Sequence, residues 1–206
     1  MSSYYTIRAY CCNDAAHFRQ QVEQVAKALS GSVTWGKPGE RDQDLRLHHG
    51  ETCQSLYLPY QPAETEFVDQ LGEQLNVPWI ELRIQSQDIW DYGLIDNNKC
   101  IDTFSVCPQY WDLSGPDPVE WEKWRGQPEL LAKTWGIPVE KINRYLVYWG
   151  FKIDDERNFE FELQGKAYPQ DQFDYGDCYQ MFDFLKALGG SEPIDSHTIK
   201  LPKKGK

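Results

Sequence analysis

The sequence predicts an α+β fold in which an antiparallel sheet with two helices is followed by a mainly helical C-terminal half. In residues 1–107, segments that alternate apolar and polar residues, as half-buried strands do, are interrupted by two segments of helical periodicity. From residue 108 onward, short helical patterns separated by glycines dominate. The change in periodicity near residue 107 therefore predicts two structurally different halves.

The first strand and the first helix are predicted near the N-terminus. Aromatic and β-branched residues alternate with other residues over residues 5–11, which is typical of a strand. Asp14 can then cap a helix, because its side-chain oxygen can accept a hydrogen bond from a backbone N–H. Phe18, Val22 and Val25 recur at helical spacing, so we expect them to form the buried stripe of this helix.

A hairpin, a second helix and a further strand follow. Residues 45–58 alternate on both sides of the turn sequence HGET, which predicts the hairpin. Phe67 and Leu71 then lie on one face of a helix, and residues 78–86 alternate again. The order strand, helix, strand, strand, helix, strand is that of a ferredoxin-like sandwich, in which helices cover one face of an antiparallel sheet.

A second hairpin is predicted to extend this sheet. The segments IWDYGLID and KCIDTFSV meet at Asn97 and Asn98, and asparagine tolerates the left-handed backbone conformation that a tight hairpin turn requires. We divide the chain into an α+β sandwich over residues 1–107, a helical half over residues 108–190 packed on it, and a flexible basic tail over residues 191–206.

The charge of the chain restricts its partners. The net charge is −11, from 21 basic and 32 acidic residues, and such a field repels nucleic-acid backbones and anionic lipids. No apolar segment approaches the roughly 20 residues of a membrane span, and the N-terminal residues do not have the pattern of an export signal. We therefore expect a cytoplasmic protein whose six cysteines are reduced thiols, with no membrane partner and with nucleic acid disfavoured.

Aromatic residues are concentrated in the middle of the chain, where seven of the eight tryptophans lie between residues 79 and 149. Aromatic residues at this density form either an interior or a contact surface. Four of them follow residue 107 among acidic residues and prolines, where complete burial is difficult; they are Tyr110, Trp111, Trp121 and Trp124. We predict that these four form a protein-binding patch, and the net charge favours a basic partner.

The segment 129–148 resembles a DNA-binding helix-turn-helix. Ala132, Gly136 and Ile142 occupy the positions of the small residue, the turn glycine and a core residue of the second helix in that motif. Acidic residues such as Glu140 crowd the segment, however, and two helices joined at a glycine are also a common structural unit. A DNA-binding regulator therefore remains an alternative function.

Cysteine and histidine residues near the first hairpin are candidate metal ligands. Cys11, Cys12, His48, His49 and Cys53 would converge if the first strand lay beside the hairpin, and zinc prefers thiolate and imidazole ligands. Adjacent residues of a strand point to opposite faces, which leaves at most three ligands, such as Cys11, His49 and Cys53. Because the Cys-x-x-Cys spacing is missing, we expect buried thiols here and predict neither a metal nor another cofactor.

Asp171, Asp174 and Asp177 form an acidic segment ahead of the last predicted helix. Their spacing lacks the alternating oxygen ligands of a calcium-binding loop. We interpret the segment as a solvated loop that caps this helix, whose core residues are Met181 and Leu185.

Two segments, DYGLIDNNKCIDTFSVCPQYW and GQPELLAKTWGI, are similar to a pattern in uncharacterised bacterial proteins. The pattern has Tyr92 and Leu94 on one strand, Asp102 and Phe104 on the next, and Tyr110 after them. No activity is known for proteins with this pattern, so the resemblance implies no catalytic or binding residue.

The leading functional hypothesis is a non-enzymatic protein-interaction module that uses the acidic, aromatic surface near residues 108–124. The first alternative is an enzyme with a small-molecule pocket between the two halves, where clefts tend to form. The second alternative is the DNA-binding regulator. The sequence identifies no catalytic residue.

Overall fold

Ten described strands form two antiparallel sheets. The computed structural model describes residues 5–35, 45–58, 62–111, 118–153, 159–191 and 197–200. The described strands are β1 (Tyr5–Tyr10), β2 (Ser32–Thr34), β3 (Leu45–His49), β4 (Gln54–Leu58), β5 (Trp79–Gln85), β6 (Ile89–Asp96), β7 (Lys99–Ser105), β8 (Phe151–Ile153), β9 (Phe159–Phe161) and β10 (His197–Lys200). Eight of them form one sheet in the order β2-β10-β3-β4-β1-β5-β6-β7, and β8 pairs with β9.

Two 14-residue helices lie between strands of the first half of the chain, and shorter helices follow residue 107. Those that the structure describes are α1 (Ala15–Ala28), α2 (Pro62–Leu75), α3 (Pro118–Lys123), α4 (Pro128–Trp135) and α5 (Gln180–Ala187), together with 3-10 helices at Pro108–Trp111 and Val139–Lys141. An antiparallel sheet combined with helices makes this an α+β protein, as the sequence predicts. No described helix has the length and apolar character needed to cross a membrane.

Two local predictions are confirmed at the ends of elements. Asp14 caps α1, because its side chain accepts a hydrogen bond from the backbone N–H of His17 at 2.9 Å. Asn97 and Asn98 both have left-handed backbone angles, with φ of 49° and 58°, and connect β6 to β7 in a tight turn. Both results follow from side-chain chemistry that acts within a few residues.

One face of the large sheet is covered by α1 and α2. Their apolar stripes meet side chains of β1, β3, β4 and β10 in one cluster, whose fully buried members include Tyr10, Phe18, Val22, Val25, Leu47, Leu56, Phe67, Val68 and Leu71. Burying a side chain of this size contributes about 1.5–3 kcal/mol. The predicted helix stripes are therefore confirmed as core.

A buried arginine connects α2 to the sheet on this same face. The Arg8 guanidinium is 2.6 Å from the carboxylate of Asp69 in α2 and 2.8 Å from that of Glu81 in β5. It also lies 4.3 Å from the ring centroid of Trp79. Burial lowers the pKa of Arg8, but the two carboxylates outweigh this effect and the net shift is upward. Arg8 therefore stays charged at the helix–sheet contact.

The opposite face of the sheet is covered by elements that follow residue 107. Phe184 of α5 stacks on Tyr92 of β6, with ring centroids 5.8 Å apart and an interplanar angle of 9°. The indole N–H of Trp135 donates a hydrogen bond to the carbonyl of Leu188 at 2.9 Å, which joins α4 to the end of α5. Strand and C-terminal side chains thus share a second core, which includes Ile7, Ile80, Leu82, Trp90, Phe104, Leu131, Tyr145 and Trp149.

The region after residue 107 differs from the predicted helical half. Its described α-helices have six to eight residues, and it also contributes β8, β9 and β10. The predicted flexible tail is wrong for His197–Lys200, because this segment forms β10 between β2 and β3 and buries Ile199. A strand of four residues is too short for its alternation to be recognised in the sequence. Residues 192–196 and 201–206 lie outside the described residues.

Candidate functional site

The four residues of the predicted aromatic patch have different surroundings. Tyr110 is half-buried in the 3-10 helix, and its hydroxyl donates a hydrogen bond to Asp88 in the turn between β5 and β6. Burial and this carboxylate raise the pKa of Tyr110 to about 12, so the phenol stays protonated at neutral pH. The side chain of Trp111 and residues 112–117 lie outside the described part of the chain. Tyr110 is therefore partly a structural contact to the sheet.

Trp121 and Trp124 lie where α3 approaches the outer edge of β7, and both are half-buried. The carbonyl of Trp124 accepts a hydrogen bond from the N–H of Ser105 at 3.0 Å, and the N–H of Gly126 donates to Thr103 at 2.9 Å. These bonds satisfy backbone groups of an edge strand that would otherwise face solvent. The segment therefore protects the sheet edge as well as presenting aromatic rings.

An aromatic pair that the sequence did not indicate lies beside this segment. Trp121 packs against Tyr148, with ring centroids 4.8 Å apart and an interplanar angle of 46°. Tyr148 is 37% exposed, whereas its neighbour Trp149 is 1% exposed and packs on Phe161. Backbone bonds from Trp149 to Val106 at 2.9 Å and from Leu163 to Trp149 at 2.9 Å fix this arrangement. Trp149 therefore anchors the segment in the core while Tyr148 faces solvent.

A carboxylate, that of Glu162, lies over Gly150, two residues beyond the exposed ring of Tyr148. Burial raises the pKa of Tyr148, and interactions with Cys107 and Glu162 raise it further. The Glu162 side chain passes over Gly150, where a Cβ would lie 3.0 Å from a Glu162 carboxylate oxygen. Gly150 also has a left-handed φ of 64°, so a larger residue would be strained for both reasons. We call Trp121, Tyr148 and Glu162 the aromatic–carboxylate site.

This site has the chemistry to hold a cation. An aromatic ring face attracts an ammonium or guanidinium group through its quadrupole, and a neighbouring carboxylate adds an ion pair. Each interaction is modest at an exposed position, about 0.5–1 kcal/mol. The alternating sequence FEFEL predicts that Glu162 and the partly buried Phe161 point to opposite sides, but only the fold brings this segment beside Trp149 and Gly150.

A second concentration of polar groups holds the loop between β9 and α5. The hydroxyl of Tyr145 donates to Asp171 at 2.8 Å, and the backbone N–H of Tyr168 donates to the other carboxylate oxygen at 2.9 Å. Asp183 accepts hydrogen bonds from the N–H groups of Gln172 and Phe173 at 2.9 and 2.8 Å. The prediction of a solvated acidic loop is therefore wrong for Asp171, which is buried in this network.

The other two acidic residues of that segment, Asp174 and Asp177, are closer to the predicted solvated loop that caps the last helix. Asp177 accepts a hydrogen bond from the N–H of Tyr179 at 2.8 Å, just before α5 begins, and Asp174 is exposed. Asp171 differs because Tyr145 covers it, and burial raises the pKa of its carboxyl group. A spacing of three residues does not reveal which carboxylate is covered by a distant tyrosine.

A cleft of about 590 Å³ opens above this network. Its described lining includes Asp171 and Asp183 at the floor and Lys141 and Lys186 nearer solvent. The Lys186 ammonium is 4.0 Å from the outer oxygen of Asp183. Backbone amides and a phenol already bond to the two carboxylates, and these bonds hold the loop in place.

The residues proposed as zinc ligands are directed to different partners. The thiol of Cys11 is 3.7 Å from the carbonyl of Trp135, whereas His49 is bonded to Arg19 and Gln54. Cys53 is fully buried, and burial raises the pKa of its thiol. Among the described residues, no three His, Cys, Asp or Glu side chains are grouped to hold a metal ion. The raised pKa values of Cys11 and Cys53 also disfavour the thiolate that a nucleophile requires.

The helix-turn-helix prediction is wrong for the second helix. Helix α4 ends at Gly136, which has a left-handed φ of 71°, but Val139–Lys141 forms only a 3-10 helix, and turns follow. Arg144 is directed to the carbonyl of Ala167 at 3.5 Å and to the ring of Tyr168 at 5.4 Å. Pro138 and the tyrosine contacts favour tight turns here, so the segment presents no recognition helix.

Comparisons of this chain with protein-family models, with curated proteins and with solved structures find no match.

Proposed function

We propose that this protein is a non-enzymatic interaction module that binds a basic segment of another protein at the aromatic–carboxylate site. The observation that carries the proposal is the exposed ring of Tyr148, which packs against Trp121, with the Glu162 carboxylate over Gly150 two residues further along the chain. An arginine or lysine of the partner would lie on the ring and pair with the carboxylate. The net charge of −11 would accelerate the encounter with such a partner.

The experiment that tests this proposal compares two single charge removals. Glu162→Gln removes the carboxylate of the site, and Glu73→Gln removes a charge that is also exposed, on α2 at the opposite face of the sheet. The probe is a short arginine-rich peptide, with citrulline in place of arginine in the control peptide, titrated by calorimetry at low salt. We expect Glu162→Gln to weaken binding about threefold to fivefold and Glu73→Gln less than about twofold.

Two results would refute the proposal. Equal losses in the two variants would show that the overall charge of the chain, rather than the site, attracts the peptide. Equal binding of the arginine and citrulline peptides would show that a cation is not what is recognised.

A small-molecule enzyme is the second candidate, and the cleft above Asp171 is the observation that favours it. This cleft lies within the C-terminal region rather than between the two predicted halves. We rank it second because Asp171 and Asp183 already accept hydrogen bonds from the protein. A small molecule that raises the melting temperature of the parent chain and does not bind a Lys186→Met variant would reverse this ranking.

We also infer that residues 5–85 form a ferredoxin-like unit and that the protein is cytoplasmic. The sheet order β3-β4-β1-β5, with α1 and α2 on one face, supports the first inference. The six free cysteines support the second, since reducing compartments maintain thiols.

A further inference from the structure

The tip of the β3–β4 hairpin lies between α1 and the end of α5. The N–H of Thr52 donates to the carbonyl of Gly189 at 3.4 Å, and the Thr52 hydroxyl donates to Leu188 at 3.3 Å. A Cβ on Gly50 would lie 2.2 Å from the carbonyl oxygen of Gly189, so the two backbones approach as closely as glycine permits. The tip is therefore held tightly against the C-terminal end of α5.

A chain of hydrogen bonds crosses this tip and passes through His49. The Arg19 Nε–H of α1 donates to His49 Nε2 at 2.9 Å. Because Nε2 accepts this bond, the ring proton is on Nδ1, which donates to Gln54 Oε1 at 2.5 Å. Gln54 is fully buried and donates to the carbonyls of Cys12 at 3.2 Å and Gly50 at 3.3 Å. The observed arrangement therefore requires a neutral imidazole.

Charged groups from three elements face this histidine. Arg19 belongs to α1, where its guanidinium also lies 5.1 Å from the ring centroid of Trp35, and Glu23 one turn later accepts the Trp35 indole N–H. Glu51 of the tip and Lys186 of α5 line, with His49, a pocket of about 530 Å³. The pocket gives His49 access to water, and the cation Arg19 bonds directly to its ring.

We propose that His49 makes the hairpin tip a pH-sensitive clamp, closed near neutral pH and loosened at mildly acidic pH. Protonation of Nε2 removes the acceptor that Arg19 uses and places two cations at hydrogen-bonding distance. The stability from this contact is present while the imidazole is neutral and is lost as the pH falls through the range where histidine ordinarily titrates, about pH 6.5. Loss of the Arg19 bond frees the tip between α1 and α5.

Hydrogen exchange at the tip tests this clamp directly. The readout is exchange of the Gly50 and Thr52 amides, which bond to Cys53 and Gly189, after correction for the intrinsic effect of pH. In the parent chain we expect the opening equilibrium to rise about tenfold between about pH 7.5 and about pH 5.5. In His49→Gln, whose amide can accept from Arg19 at every pH, the rise should vanish. His17→Gln removes an exposed histidine of α1 and should behave like the parent chain.

A second variant keeps the test decisive if His49→Gln folds poorly. Arg19→Met removes the opposing cation, so protonation of His49 should cost less and the rise should fall to about twofold. The proposal is overturned if the opening equilibrium at the tip of the parent chain does not change with pH. The proposal is also overturned if the opening equilibrium of His49→Gln or of Arg19→Met rises at acidic pH as much as that of the parent chain. His48 is present in every variant, so its own titration cannot produce these differences.

Discussion

On one face of the sheet, α1 and α2 bury apolar side chains that recur at helical spacing. On the other face, short elements from the C-terminal region bury aromatic rings together with hydrogen-bonded carboxylates. The first face needs only a repeated apolar stripe, which a local pattern reveals. The second depends on partners far apart in the chain, such as Tyr145 and Asp171. Long-range polar contacts, rather than helical periodicity, therefore shape the part of the molecule that carries the candidate site.

The largest expected effects test whether the two faces unfold together. Phe184→Ala removes a ring that contacts Trp90, Tyr92 and Tyr145, and Phe18→Ala removes a fully buried ring under α1. Each should lower the free energy of unfolding by about 3–5 kcal/mol. Because both cores share one sheet, we expect tryptophan fluorescence and far-ultraviolet dichroism to report one transition. Two separated transitions in Phe184→Ala would show that the second face is an independent unit.

The next effect isolates the polar contacts of the second face. Asp183→Ala leaves the N–H groups of Gln172 and Phe173 without their acceptor and should cost about 2–4 kcal/mol by chemical denaturation. Asp174→Ala, at an exposed position of the same loop, is the matched control and should cost less than about 0.5 kcal/mol. Similar losses in both variants would show that the loop is not fixed by Asp183.

A smaller effect concerns pH. Burial raises the folded-state pKa of Asp171 above its ordinary value of 3.8. A raised carboxyl pKa favours the protonated folded state, so its contribution to stability is present below that ordinary value and is lost as the pH rises through the folded pKa. Relative to the parent chain, Asp171→Asn should therefore become more stable as the pH is raised through this window in denaturation experiments. If the difference in unfolding free energy between Asp171→Asn and the parent chain did not change with pH, the raised pKa of Asp171 would be contradicted.

The sequence predicted elements whose cause is local. The stripe of Phe18, Val22 and Val25, the cap at Asp14 and the turn at Asn97-Asn98 were all recognisable, because the residues responsible lie within one helix or turn. β10 was not recognisable, since its pairing partners β2 and β3 lie about 150 residues earlier in a chain of 206.

The candidate site was predictable only in part. Trp121 was selected because aromatic residues among acids and prolines are difficult to bury, and the structure leaves it half-buried. Tyr148 was missed because its exposure depends on Trp149 entering the core beside Phe161. Glu162 was missed because β9 approaches Tyr148 only in the folded chain. Composition identified the region, and long-range packing determined which residues face solvent.

Two tyrosines of nearly equal exposure distinguish binding at the aromatic–carboxylate site from binding elsewhere on the chain. Tyr148 is 37% exposed at the aromatic–carboxylate site, and Tyr179 is 38% exposed before α5. The alanine variants of both should fold, and the arginine-rich peptide should be titrated into each by calorimetry. We predict that Tyr148→Ala weakens binding about twofold to fivefold and that Tyr179→Ala matches the parent chain. Equal peptide affinities in the two variants would contradict binding at the aromatic–carboxylate site.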